Sequence, residues 1–100
     1  MVLVEIRVNG ELKATCGASD LRQLVAMIAV TRSGSTGDSS FRVECNGIRS
    51  VDATTDEVLK WVNASIQLGD DVSFRLVEGS DPQDPIDRQT ITARSRGRDA

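Results

Sequence analysis

The stretch Asp20-Leu21-Arg22-Gln23-Leu24-Val25-Ala26-Met27-Ile28-Ala29-Val30 decides the fold class. Leu21, Leu24, Val25 and Ile28 recur at i, i+3, i+4 and i+7, the stripe of an amphipathic helix. Ala26, Met27, Ala29 and Val30 widen that stripe. Ser19 or Asp20 stands where an N-cap is needed, and Gln23 follows Asp20 by three residues. The spacing predicts the main helix of the domain, with Met27 as core filler rather than a ligand.

Working outward, Val2, Val4, Ile6 and Val8 alternate with Leu3, Glu5 and Arg7, the period of a strand with one core face. Asn9-Gly10 is a hairpin signal. A two-residue turn would set Ile6 against Lys13. A shift by one sets Val8 against Leu12, Ile6 against Ala14 and Val4 against Cys16. Burial should decide, since a one-residue slip turns every side chain over. A three-residue loop or a bulge near Gly10-Glu11 is therefore expected.

Downstream of the predicted helix, residues 32–40 hold two glycines and four serines and read as a loop. A Gly/Ser loop can cradle phosphate, but this one has no Lys and does not lead from a strand into a helix. Phe41, Val43 and Cys45 mark a third strand, Asn46-Gly47 a second hairpin turn, and Ile48 to Val51 a short return strand. Thr54-Thr55-Asp56-Glu57 has capping-box spacing, followed by Val58, Trp61 and Val62 on one face of a short second helix. Trp61 is expected in the core. Gly69-Asp70 is turn chemistry. Beyond it Val72, Phe74 and Leu76 alternate with Ser73 and Arg75, and Val77 makes the second face partly apolar, as in a central strand.

The order β-β-α-β-β-α-β predicts an α+β fold of β-grasp type, a mixed sheet with one main helix packed on it. The last strand should run parallel beside the first. Residues 1–79 would form the domain. Residues 80–100, with Pro82, Pro85, Arg94, Arg96 and Arg98 and few apolar side chains, would form a flexible, disordered tail.

Leu68-Gly69-Asp70-Asp71-Val72 and the alternation after it resemble the last turn and strand of small sulfur-carrier, ubiquitin-like proteins. Asn9-Gly10-Glu11 and Asn46-Gly47 sit where such proteins often turn. The resemblance spans residues 1–79 in pattern and implies the β-grasp fold. It also implies a carrier whose working group is a terminal Gly-Gly carboxylate. This chain continues to Arg98-Asp99-Ala100, so that role would require cleavage near Gly79. Trp61 to Glu78, with Asp81 and Pro82 following, also looks like short bacterial proteins of unassigned function.

The chain has no His and no Tyr. That removes the commonest general base, the commonest metal ligand and every Ser–His or Cys–His pairing. Cys16 and Cys45 are too few for a zinc site. They read as small core residues, free thiols on separate outer strands too far apart to bridge. Asp52, Asp56, Glu57, Asp70 and Asp71 fit no EF-hand loop, and caps and turns account for them. Lys13 and Lys60 read as exposed. No catalytic, cofactor-binding or metal-binding residue is expected, and the protein reads as a non-enzyme.

A hydrophobic content of 39% with 3% aromatics calls for a small core of Val, Leu, Ile and Ala. Net charge −3 is too mild for a nucleic-acid partner. No apolar run approaches the roughly 20 residues of a membrane span. Met1-Val2-Leu3-Val4-Glu5 has no basic n-region, so a cytoplasmic protein is expected. The expected function is a module that works by contact with another protein, through a sheet edge or the loops around Gly34 and Asn46. Alternatives are the processed carrier, or an inhibitor or immunity-type partner of a toxin or nuclease, with acidic loops mimicking phosphate.

Overall fold

A computed structural model of the protein describes residues 1–92. Over these residues the chain forms seven strands and no helix. They are β1 (Val2–Val8), β2 (Glu11–Cys16), β3 (Gln23–Arg32), β4 (Ser39–Asp52), β5 (Thr55–Ile66), β6 (Val72–Glu78) and β7 (Asp87–Thr92). One sheet has the order β2-β1-β6, the other β3-β4-β5-β7, and every pairing is antiparallel. The α+β, β-grasp expectation is overturned. The protein is an all-β, two-sheet sandwich.

The main helix fails at its own stripe. Leu24 to Val30 is apolar at every position, so it satisfies a period of 3.6 and a period of 2 equally. Periodicity cannot separate a buried helix from a strand in such a run. Val25, Ile28, Val30 and Thr31 are β-branched and stiff at χ1, which favours the pleated backbone. Gln23–Arg32 accordingly pairs with β4 in unbroken register, from Gln23 opposite Ile48 to Arg32 opposite Ser39. Of the loop expected over residues 32–40, only residues 33–38 are a loop, which joins two strands as a hairpin; Arg32 belongs to β3 and Ser39 and Ser40 to β4. Ser33 donates its N–H to the Asp38 carbonyl at 2.7 Å, and Gly37 turns at φ 75°.

The second helix fails at a bulge. The β4–β5 register slips between Cys45 and Asn46, which pair with Val62 and Lys60. Trp61 is the extra residue. A bulge lets two successive side chains share a side, and Trp61 (1% exposed) and Val62 (9%) are both buried, as is Leu59. Two neighbouring core residues gave the spacing its helical look. The Thr54 capping box is instead a β-turn. Asp52 Oδ1 accepts the Thr54 N–H at 2.8 Å, and Asp52 sits opposite Thr55 in the ladder. Asn46-Gly47 does not turn either and lies within β4. A Cβ on Gly47 would come within 3.0 Å of both Leu21 and Trp61 side-chain carbons, so a bare backbone is needed there to seat the indole.

The first hairpin resolves its two preferences together. Ile6 opposes Ala14 and Val4 opposes Cys16, as burial demands, yet Val8 opposes Glu11 across a two-residue turn. Asn9 (φ 53°) and Gly10 (φ 82°) both take the left-handed conformation of such a turn. The surplus residue is absorbed at Lys13, between the Ile6 and Arg7 pairings, not at Gly10-Glu11.

β6 flanks β1, but antiparallel and at the rim, so β1 is the central member. The turn before β6 is locked to the first hairpin. Asn9 donates its amide to Asp70 Oδ1 at 3.1 Å and accepts the Asp71 N–H at 2.9 Å. The Gln67 N–H, then the Asn9 amide, hold the Asp70 carboxyl below its ordinary range. The stretch expected to be tail is partly structured, since Asp87–Thr92 pairs with β5 from Lys60 to Thr55. Arg94, Arg96 and Arg98 lie outside the described residues.

The core is the contact between the sheets. Val4, Ile6, Val8, Ala14 and Cys16 of one sheet meet Val43, Cys45, Leu59, Trp61 and Val62 of the other. Leu3, on the opposite face of β1, is buried against Gly17 and Gly79, where it would strike any Cβ. Residues 80–86 strap one side of the sandwich. Gln83 donates its N–H to Thr15 O on β2 at 2.9 Å and accepts the Trp61 indole N–H at 2.8 Å. Ile86 then bonds Lys60 O at 2.7 Å and starts β7. Trp61 thus fills the core and ties the strap. Trp61→Ala should cost about 3–5 kcal/mol, read as a lowered urea midpoint. A loss under about 1 kcal/mol, the scale of an ordinary surface change, would show that the sheets are joined elsewhere.

Candidate functional site

Strand alternation and register fix which side chains share a face. In the larger sheet Val43 and Cys45 point into the core, so Ala26 and Ile28, directly opposite them, point the same way, as do Leu24 and Val30. Yet Ile28 is 48% and Val30 65% exposed. The ladder Val30–Phe41–Ile66 crosses three strands on this inner face, beyond the reach of the smaller sheet. Phe41 and Ile66 line an open depression of about 490 Å³, with Leu68 and three serines, Ser39, Ser40 and Ser65, at its rim.

The smaller sheet repeats the pattern at β6. Phe74 and Leu76 oppose buried Ile6 and Val4, so they belong to the core face, but are 42% and 75% exposed. The sandwich is strapped along β2 and β5 and uncovered along parts of β3 and β6. Its radius of gyration of 15.5 Å exceeds the about 13 Å usual for a chain of this length, and its extents of 43 × 41 × 20 Å are those of a flat body.

β3 carries the larger part of this surface. It ends the sheet order, so one row of backbone N–H and C=O groups faces outward. Its outer face is apolar too, with Val25 (38%) and Met27 (37%) exposed. From Gln23 to Thr31 the strand has no charge. The other rims are guarded: β2 by Glu11, Lys13 and the strap at Thr15, β6 by Arg75 and Glu78, β7 by Asp87 and Arg88. The expected contact surface is a sheet edge in general, with no strand named. β3 itself was hidden by its reading as a helix. Of the two loops expected to make contact, Gly34 lies in the β3–β4 hairpin and Asn46 lies inside β4.

Cys16 and Cys45 are free, fully buried thiols, as expected, and they belong to the same core cluster between the sheets. The neighbouring Cys45 sulfur, then burial, pushes the Cys16 thiol up, while the Cys16 thiol draws Cys45 down. Of the acidic group, Asp52, Asp70 and Asp71 serve turns, as expected. Asp56 does not: it is 1% exposed within β5, and Arg22 Nη2 reaches its Oδ2 at 2.9 Å. Glu57 pairs with Arg49 rather than capping a helix. Lys13 is exposed beside Glu11, whereas Lys60 is half-buried. Among the described residues no three His, Cys, Asp or Glu side chains are placed to hold a metal ion. No helix there is long and apolar enough to cross a membrane.

Comparison with protein families, with curated proteins and with solved structures finds no match.

Burial, not acidity, controls the cysteines. In the native protein both should stay silent to a thiol-reactive dye such as DTNB and react fully in denaturant. Rapid labelling of the folded chain would mean that the sheet interface opens.

Proposed function

We propose that the protein is a binding module that acts by contact with another protein and performs no chemistry of its own. The observation that carries this reading is the state of β3. An edge strand apolar on both faces, with no charge from Gln23 to Thr31, is a template for strand addition. Backbone groups along the edge supply affinity. Alternate side chains on the two faces supply selectivity. The open depression at Phe41 and Ile66 extends the apolar surface beside it.

The described polar clusters away from β3 are satisfied pairs: Arg22 with Asp56, Arg49 with Glu57 and Asp20, Arg7 with Glu5.

The test is affinity capture by the full chain from the cells that make it, beside the variant Val30→Lys. Val30 is 65% exposed, so the charge should spare the core. The wild-type chain should retain a protein that the variant retains at least about tenfold more weakly, given the cost of a charge in an apolar contact. Retention of no protein, together with tight binding of a small metabolite, would refute the reading.

A further inference from the structure

We infer that Cys16 and Cys45 form a redox site, two core thiols that a small disulfide oxidises to one covalent bond between the sheets. They are the chain's two cysteines, one on β2 and one on β4, and so one in each sheet. Both side chains are 0% exposed and belong to the cluster in which the sheets meet. β4 lies inside its sheet, not at an outer position as expected. The proposed binding role makes no use of the pair.

Bridging requires a close approach of the two strands. Facing sheets usually stand about 10 Å apart, whereas bridged cysteines need Cα atoms within about 7 Å. The surroundings of the pair favour that approach. On the buried face of β2 the neighbour of Cys16 is Ala14, and on that of β4 the neighbours of Cys45 are Val43 and Gly47. No long side chain on either strand props the sheets apart at the sulfurs. The strap then draws the same places together. Gln83 donates its N–H to the carbonyl of Thr15, next to Cys16, at 2.9 Å. Its own carbonyl accepts the indole N–H of Trp61 at 2.8 Å, and Trp61 adjoins Val62, which pairs with Cys45. One residue thus tethers β2 beside Cys16 and β5 beside the partner of Cys45. The opposite shifts in the acidity of the two thiols, each caused by the other, fit sulfurs that are neighbours.

The reaction balances with one co-reactant of the class R–S–S–R. The Cys45 thiolate attacks one of its sulfurs and expels RS⁻. The Cys16 thiolate then attacks the Cys45 sulfur of this mixed disulfide and expels the second RS⁻. One S–S bond breaks and one forms. Two protein thiols are oxidised, the reagent is reduced, and the two RS⁻ take up the two protons. Burial keeps the reagent from the folded dithiol, so the bond forms as the chain folds or when the interface opens. The product encloses β3 in a covalent ring and restricts the unfolded chain. The module then has two degrees of closure, strapped by hydrogen bonds alone or locked across its core.

The test takes the full chain, unfolded and reduced, and refolds it in a buffer of oxidised and reduced glutathione. After acid quenching and alkylation, intact mass separates dithiol, glutathione adduct and disulfide. The expected product is a monomer lighter by two hydrogens with no alkylated cysteine. At equilibrium in one buffer, the ratio of disulfide to dithiol should be at least about tenfold higher in the folded chain than in urea. By linkage, the oxidised chain should also unfold at a higher urea concentration than the reduced chain. Equal ratios folded and unfolded, a glutathione adduct or disulfide-linked dimers as the main product, or a lower urea midpoint for the oxidised chain would overturn the inference. The wild-type chain serves throughout, so no outcome depends on the folding of a variant.

Discussion

The outward row of backbone groups on β3 is the constraint on which the rest of the structure turns. A strand buried on both faces normally sits inside a sheet, with its amides and carbonyls paired on both sides. β3 has the composition of such a strand and the position of a rim. Water satisfies its polar groups only while the apolar side chains beside them stay wet. The two demands conflict. The other rims carry charges or a strap, although β6 also leaves Phe74 and Leu76 exposed.

The strapped side shows how the same chain closes an edge when it needs to. Gln83 bonds β2 through its N–H and receives the Trp61 indole through its carbonyl, and Ile86 continues the tie onto β5. These links join the two sheets at Thr15, Lys60 and Trp61. Cys16 and Cys45 meet there, as do Leu59, Trp61 and Val62. Away from this seam the smaller sheet no longer covers the larger one. Side chains that face inward by register, Ile28, Val30, Phe74 and Leu76, therefore remain exposed. The flat shape and the open apolar surface have one cause, a seam along one side of a sandwich.

Much of this was legible in the residues, and the failures have definite causes. Alternation found β1, β2 and β6. Burial chose the register of the first hairpin, and Asn9-Gly10 supplied its turn, with Lys13 absorbing the residue over which the two disagreed. Trp61 was placed in the core. The two helices were misread for opposite reasons. In Leu24 to Val30 there is no polar residue to show the period, so only β-branching spoke for a strand. Around Trp61 a bulge set two buried side chains next to each other, and the spacing imitated a helix face. Gly47 read as a turn because Asn-Gly is turn chemistry, but its lack of a Cβ serves the packing of Trp61. Asp56 looked like a helix-cap acid because its partner Arg22 is 34 residues away in sequence. β7 was missed because its alternation is weak and its flanks are polar. The open edge was invisible for the same reason as the fold error, since a stretch taken for a packed helix offers no open hydrogen bonds.

The central claim is that Gln23–Arg32 is extended and paired with β4. Nuclear Overhauser contacts over this segment test it most directly. The account predicts cross-strand contacts linking Ile28 with Val43 and Ala26 with Cys45, strong sequential Hα–HN contacts, and no Hα(i)–HN(i+3) contacts. A run of i to i+3 contacts from Leu21 to Val30, without those cross-strand contacts, would restore the helix and contradict the account.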